Sequence, residues 1–218
     1  MLKAVFFDFD GTLGDTLKLC VDAFRQALEP LTGRRYTDEQ IVSTFGPSEE
    51  GTITRFLPPE QYQEGLDRYF HWYEKLHEES PKPFPGLDEL LHGLKKAGIF
   101  VALVTGKGPV TCALSLKKYG IEDLFDAIEP GSPEGPCKPD AMRRIFERFA
   151  LRPDETLYVG DMPSDVAAAR EVGVETLAVA WASTADQEAL RRENPLALFT
   201  RVDDLRDFLE QQIGQKLQ

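Results

Sequence analysis

Residues 4–16 read AVFFDFDGTLGDT: an apolar run, two aspartates one residue apart, and a break into Gly-Thr. Val5, Phe6, Phe7 and Phe9 form a short, nearly continuous apolar stretch, the pattern of a buried strand. Asp8 and Asp10 then fall at its carboxyl end, the edge at which open α/β sheets bind ligands. Two carboxylates so close repel each other, and a hard divalent cation with oxygen ligands relieves that repulsion. Taken alone, a helix cap after an ordinary turn explains the same residues. The reading therefore depends on what else reaches that edge.

The chain has 218 residues, enough for one full domain and a smaller one. Its 42% hydrophobic and 28% charged residues describe a globular protein with a sizeable core. A formal net charge of -12 argues against nucleic acid or an anionic membrane as partner, because both need a basic face. An anionic small substrate is compatible with that charge if a metal, a lysine or backbone amides meet it locally. Cys20, Cys112 and Cys137 are scattered and form no C-x-x-C pair, so neither a disulfide framework nor a zinc site is expected. A reducing, cytoplasmic setting follows as the expectation. Asp8 and Asp10 interrupt the first apolar run before a secretory segment or membrane span can form.

Beyond the first strand the pattern turns helical: 17–31, 38–57 and 59–79 have helical spacing and no β-branched runs. We read 15–81 as a small all-helical domain inserted into an α/β domain made of 1–14 and 82–218. The SPKPFPG segment at 80–86 places three prolines in seven residues and predicts a stiff, extended connection. Strands are then expected at 100–105, 127–129, 156–159 and 176–179. Helices are expected at 87–97, 110–119, 140–149, 164–172 and from 203 to the end. That alternation predicts a Rossmann-like, doubly wound parallel sheet covered on both faces.

Other strand ends also carry polar groups. Val104-Thr105-Gly106-Lys107 brings a hydroxyl and backbone N–H groups to a helix entry, which suits an anion, although an N-cap and a turn explain it too. Lys138 precedes a helix, where a positive charge opposes the dipole and gains nothing locally. Val159-Gly160-Asp161-Met162-Pro163-Ser164-Asp165 repeats the layout seen at Asp8, with two acids four residues apart.

In this order DFDGTLGDT, VTGK, KPD and GDMPSD resemble the motifs of the haloacid dehalogenase-like hydrolase superfamily, and within it the phosphoglycolate phosphatase-like branch. The resemblance implies that Asp8 is the nucleophile and forms an aspartyl-phosphate, while Asp10 serves as general acid and base. It implies Mg²⁺ as cofactor, with Asp8, Asp161 and the Asp10 main-chain carbonyl as ligands. Asp165 joins this acidic set, orienting Lys138 or a water of the cation. Thr105, Gly106 and Lys138, with Lys107 beside them, would bind the phosphoryl oxygens. The dehalogenase branch lacks the second aspartate, so Asp10 favours phosphate chemistry.

By the same resemblance the helical insertion is a mobile cap hinged at 11–15 and 80–86, and Gly46 in the loop at 45–48 faces the active site, although a simple interhelical turn explains that loop equally. Arg55, His71 and Lys75 are candidates for a substrate carboxylate or second phosphate, and equally for a solvated helix face. His77 and His92 read as packing or surface residues, and the aromatic group from Tyr62 to Tyr73 as cap core. Trp181 is followed by Ala182 where relatives often have glycine. The expected activity is Mg²⁺-dependent hydrolysis of a small phosphorylated metabolite, phosphoglycolate first, by a monomer or homodimer. A pyrophosphatase, nucleotidase or sugar-phosphate mutase uses the same core chemistry, and a non-enzymatic phospho-aspartate switch shares the acidic pocket, threonine and lysine.

Overall fold

The computed structural model describes residues 1–79 and 82–217. Six parallel strands, β1 (Ala4–Phe7), β2 (Phe100–Val104), β3 (Ala127–Glu129), β4 (Thr156–Gly160), β5 (Glu175–Val179) and β6 (Ala197–Phe199), form one sheet in the order β3-β2-β1-β4-β5-β6. Phe7 pairs with Leu103 on one side and Val159 on the other, so the carboxyl ends of β1, β2 and β4 lie abreast. The order reverses beside β1, which makes this edge the crevice where an α/β sheet receives its ligand.

Both faces of the sheet are covered, as its apolar strands require. Val5 and Phe7 of β1 join Leu103, Val159 and Leu177 under α5 (Leu87–Lys96), α6 (Pro109–Tyr119) and α10 (Val202–Ile213). Ala4 and Phe6 point the other way, into a cluster with Val104, Tyr158, Met142 and Ile145 beneath α7 (Lys138–Phe149) and α8 (Pro163–Glu171). A third cluster lies entirely between β1 and β2 in sequence. It unites Phe24, Leu28, Ile41, Ile53, Tyr69 and Tyr73 from α1 (Leu17–Thr32), α2 (Asp38–Val42), α3 (Glu49–Ile53) and α4 (Pro59–Leu76). The fold is thus a doubly wound parallel α/β sheet with a helical layer inserted after the first strand.

Three elements differ from the sequence expectation. Residues 38–57 form two short helices rather than one. Thr37 and Gln40 make a reciprocal capping box at the start of α2, and the chain breaks at Gly46, whose φ of 141° suits only glycine, followed by Pro47. The helix α9 (Gln187–Arg192), capped by the Asp186 carboxylate on the Ala189 amide, and the three-residue β6 had no counterpart in the reading. Of the expected hinge at 80–86, Ser80 and Pro81 lie outside the described residues. Its far side is anchored, because the Phe84 amide donates to the Leu13 carbonyl at 2.9 Å. Among the described residues no helix is long and apolar enough to cross a membrane.

Candidate active site

Asp8 leaves β1 with its amide donating to Val159 O at 2.9 Å, and the chain then turns tightly as Leu13 N returns to Phe9 O at 2.8 Å. Gly11 sits in that turn at φ 76°, and a Cβ there would lie 2.0 Å from Asp161 Oδ2. Only glycine lets the β1 loop approach the β4 end so closely. Thr12 fastens the two loops by donating Oγ1–H to Asp161 Oδ1 at 3.0 Å. Trp181 Nε1 donates to Thr12 O at 3.0 Å, so the tryptophan that precedes the departure at Ala182 buttresses this turn from the end of β5.

Asp8, Asp161 and Asp165 are all buried, and each offers a carboxylate oxygen within 4.8 Å of the others. Lys138, at the first turn of α7, bridges two of them: Nζ lies 2.6 Å from Asp8 Oδ2 and also donates to Asp165 Oδ1. Asp165 accepts from the Met162 amide at 3.0 Å, while Asp8 Oδ1 accepts from the Phe9 amide at 2.7 Å. Burial pushes the Asp8 carboxyl up to about 6 against the opposing charge of Lys138. Burial, and then the charges of Asp165 and Asp8, push Asp161 well above the usual carboxylate range. Burial works against the Lys138 ammonium, but Asp165 and Asp8 outweigh it and hold the charge on.

Asp10 belongs to a second set. Its Oδ1 accepts from Thr16 Oγ1 at 2.5 Å and from Lys107 Nζ at 2.9 Å, with Oδ2 3.3 Å from the same ammonium. Thr16 occupies the N-cap of α1 but makes no side-chain cap bond there, because its hydroxyl is committed to Asp10. The Lys107 side chain is inaccessible, lies 4.4 Å above the Tyr73 ring and turns its ammonium toward Asp10. Thr105 is buried at the end of β2, its Oγ1 accepting from the Lys107 amide at 3.2 Å.

These groups border a cavity of about 410 Å³ between the sheet edge and the helical layer. Asp8, Asp10, Thr105, Gly106, Lys107, Lys138 and Asp161 line it, and Gly46 faces them from the helical side. Asp165 is fully buried behind Lys138 rather than on the wall. Arg55, His71 and Lys75 are exposed and do not border the cavity, so these candidates for a second anion are surface residues here. His77 is buried and packs on Tyr73 and Tyr119, as a packing residue should.

Sequence reading missed two residues. Glu49, on α3, reaches out of the helical layer: Oε2 accepts from the Gly108 amide at 2.5 Å and Oε1 from Thr111 Oγ1. In sequence it looks like any first-turn acid, and its partners lie 59 and 62 residues away. Cys20 lies 3.6 Å from Lys107 Nζ, one turn after Thr16, and burial raises its thiol far above the ordinary range.

The donor set fits a hard cation. Asp8 and Asp161 present buried carboxylates side by side, all ligands are oxygen, and the space beside Asp161 is kept clear of a side chain at Gly11.

Comparison with known proteins agrees with this layout. A family described as haloacid dehalogenase-like hydrolase matches residues 5–179. The protein named "Putative pyrophosphatase PpaX" from Caldanaerobacter subterraneus subsp. tengcongensis is 32% identical over 200 residues, 89% of this chain and 88% of its own. A haloacid dehalogenase-like hydrolase from Streptococcus pneumoniae superposes with a TM-score of 0.77 at 28% identity, covering 95% of this chain and 98% of that one. A "predicted phosphoglycolate phosphatase" from Haemophilus somnus 129pt has a TM-score of 0.81 at 22% identity, covering 95% and 98%, and there the likeness is one of fold. With the motif order, the strand-end acids and a match across most of its length, this chain belongs to the haloacid dehalogenase-like hydrolases.

Proposed function

We propose that this protein is a Mg²⁺-dependent phosphohydrolase that transfers the phosphoryl group of a small substrate to Asp8 and then to water. The observation that carries the reading is the separation of two neighbouring carboxylates into different surroundings. Asp8 is buried against Lys138, whereas Asp10 is held by Thr16 and Lys107. Adjacent acids with distinct partners suit the two tasks of nucleophile and proton carrier.

In the first step a carboxylate oxygen of Asp8 attacks phosphorus in line as the bond to the leaving oxygen breaks, and Asp10 gives that oxygen its proton. In the second, Asp10 takes a proton from the attacking water, the bond between phosphorus and Asp8 breaks, and phosphate leaves. Both carboxylates end as they began. Lys138 and the amides after Thr105 oppose the charge on the phosphoryl oxygens. Asp8, Asp161 and the Asp10 carbonyl would hold Mg²⁺, which when bound neutralises the clustered carboxylates and the phosphoryl charge. Residues 15–81 would act as a cap over a core of 1–14 and 82–218, excluding water while the aspartyl-phosphate exists.

Phosphate release from a panel containing phosphoglycolate, pyrophosphate, nucleoside monophosphates and sugar phosphates tests the reading. Release should require Mg²⁺, stop with EDTA, and fall by about 10³-fold or more in Asp8→Asn. A mutase would leave the panel untouched yet isomerise a sugar phosphate, and a switch would hold a long-lived phosphoryl group on Asp8. Pyrophosphate belongs on the panel because the relative that is 32% identical carries that activity in its name.

A further inference from the structure

The helical side of the cavity, where the leaving group would lie on the phosphohydrolase reading, has no cation to spare. Phe24, Val42, Phe45 and Tyr69 line it from the helical layer, and Met162 and Ala168 from the sheet domain. Among the described residues, Lys107 and Lys138 are the only cations bordering the cavity. Both are already paired: Lys107 Nζ is 2.9 Å from Asp10 Oδ1, and Lys138 Nζ is 2.6 Å from Asp8 Oδ2 with Asp165 on its other side. The remaining charged group on the helical wall, Glu49, is itself an acid. A carboxylate or second phosphoryl group on the leaving side would meet no cation there, only carbon and neutral groups such as the Thr52 and Tyr69 hydroxyls, an arrangement that burial of a charge penalises heavily. An uncharged leaving group would instead gain from covering the same surface.

We infer that the substrates are phosphomonoesters of uncharged, mainly apolar alcohols, aryl or aliphatic, and that Phe24, Val42, Phe45, Tyr69 and Met162 form the surface that selects them. This inference rests on the phosphohydrolase reading. The ester is cleaved to the alcohol and inorganic phosphate, with water supplying the oxygen and the proton. Phosphoglycolate and pyrophosphate, whose leaving groups are both anionic, fall outside the class. The helical layer therefore discriminates by rejecting charge, and the sheet edge alone handles the phosphoryl group.

Matched pairs of esters test this with the whole protein in Mg²⁺. para-Tolyl phosphate and para-carboxyphenyl phosphate differ in the charge of the leaving group at similar size, and hexyl phosphate and the phosphate ester of ω-hydroxyhexanoate form the aliphatic pair. The neutral member of each should be favoured by about tenfold or more in kcat/KM. Val42→Arg, which adds a cation to the wall, should shrink that ratio by a similar factor. Phe45→Arg serves if the first variant does not fold, and the wild-type ratio stands on its own. Equal or better turnover of the carboxylated members overturns the inference while leaving the phosphohydrolase reading intact. So does a preference for phosphoglycolate or pyrophosphate over every neutral ester. No release from any ester overturns both.

Discussion

Asp8 and Asp10 leave one strand end one residue apart and, among the described residues, share no hydrogen-bond partner. Lys138 serves the first and Lys107 the second, although the two lysines come from different helix entries of the same sheet edge. On the proposed mechanism Asp10→Asn removes the proton carrier and leaves the Asp8 nucleophile in place. We expect kcat to fall by about 10²–10⁴-fold with little change in KM, as read by steady-state phosphate release; an unchanged kcat would remove Asp10 from the mechanism. Lys107→Met tests the second pair through stability, since it leaves Asp10 beside an apolar side chain with only Thr16 and Cys20 as donors. Breaking a buried ion pair from one side costs up to several kcal/mol. Because Asp10 retains 24% side-chain exposure the expected loss is at the low end, about 3 kcal/mol in urea unfolding. Asp8, Asp10, Asp161 and Thr105 were legible because each follows a strand and interrupts its apolar pattern, and Lys138 because its charge opposes the dipole of the helix it opens. The pairing of Lys107 with Asp10 was not, since nothing in VTGK says which way a four-carbon stem will turn.

At the scale of elements, α3 acts as a fastener between the helical layer and the sheet domain. Glu49 meets the first turn of α6, where unsatisfied amides and the helix dipole favour a carboxylate. A Cβ at Gly108 would stand 2.2 Å from Glu49 Oε2, so glycine is what admits the contact. The neighbouring Ser48 amide adds a bond to Ser132 O at 2.8 Å. Glu49→Ala should loosen closure and raise KM by up to about tenfold while Glu49→Gln retains more of the contact; equal KM values in all three proteins would show that α3 does not hold the layer shut. Where α4 gives way to a single 3₁₀ turn, His77 donates to or accepts from Ser115 at 2.9 Å, and burial depresses its imidazole below the usual value near 6.5. A lowered folded value means that the unfolded chain takes up the proton first on acidification. This contribution is fully present above about pH 6.5 and is lost as pH falls toward the folded value. Urea midpoints at pH 7.5 and pH 5.5 should therefore separate more in wild type than in His77→Gln. The elements themselves were readable wherever a periodic run was long. The break between α2 and α3 was hidden because Phe45, Leu57 and the residues between keep a helical rhythm across Gly46-Pro47, and three-residue β6 has too few side chains to show a period.

Across the whole molecule, the three largest apolar clusters among the described residues lie one on each sheet face and one in the helical layer, with a smaller fourth around Val166, Ala178 and Leu190. The alternation of strands and helices announced a parallel sheet. The order β3-β2-β1-β4-β5-β6 could not be read from it, because hydrogen-bond pairing between buried strands leaves little mark on side-chain pattern. That order nevertheless places Asp8 beside Asp161, and so concentrates like charge at one edge of a chain whose net charge is already -12. Burial and mutual repulsion oppose ionisation there, as the raised Asp8 and Asp161 carboxyls record. A divalent cation bound to the folded chain reverses both effects, and whatever binds only the folded state stabilises it by mass action. At a hundredfold excess over its dissociation constant, Mg²⁺ should add about 2.7 kcal/mol, or on the order of 5–10 °C in Tm for a chain of this length. Asp161→Asn should abolish most of the shift without the enzyme ever turning over. A Tm that is the same with Mg²⁺ and with EDTA would mean that Lys138 alone balances the edge, and the cation would have to be dropped from the reading of the site.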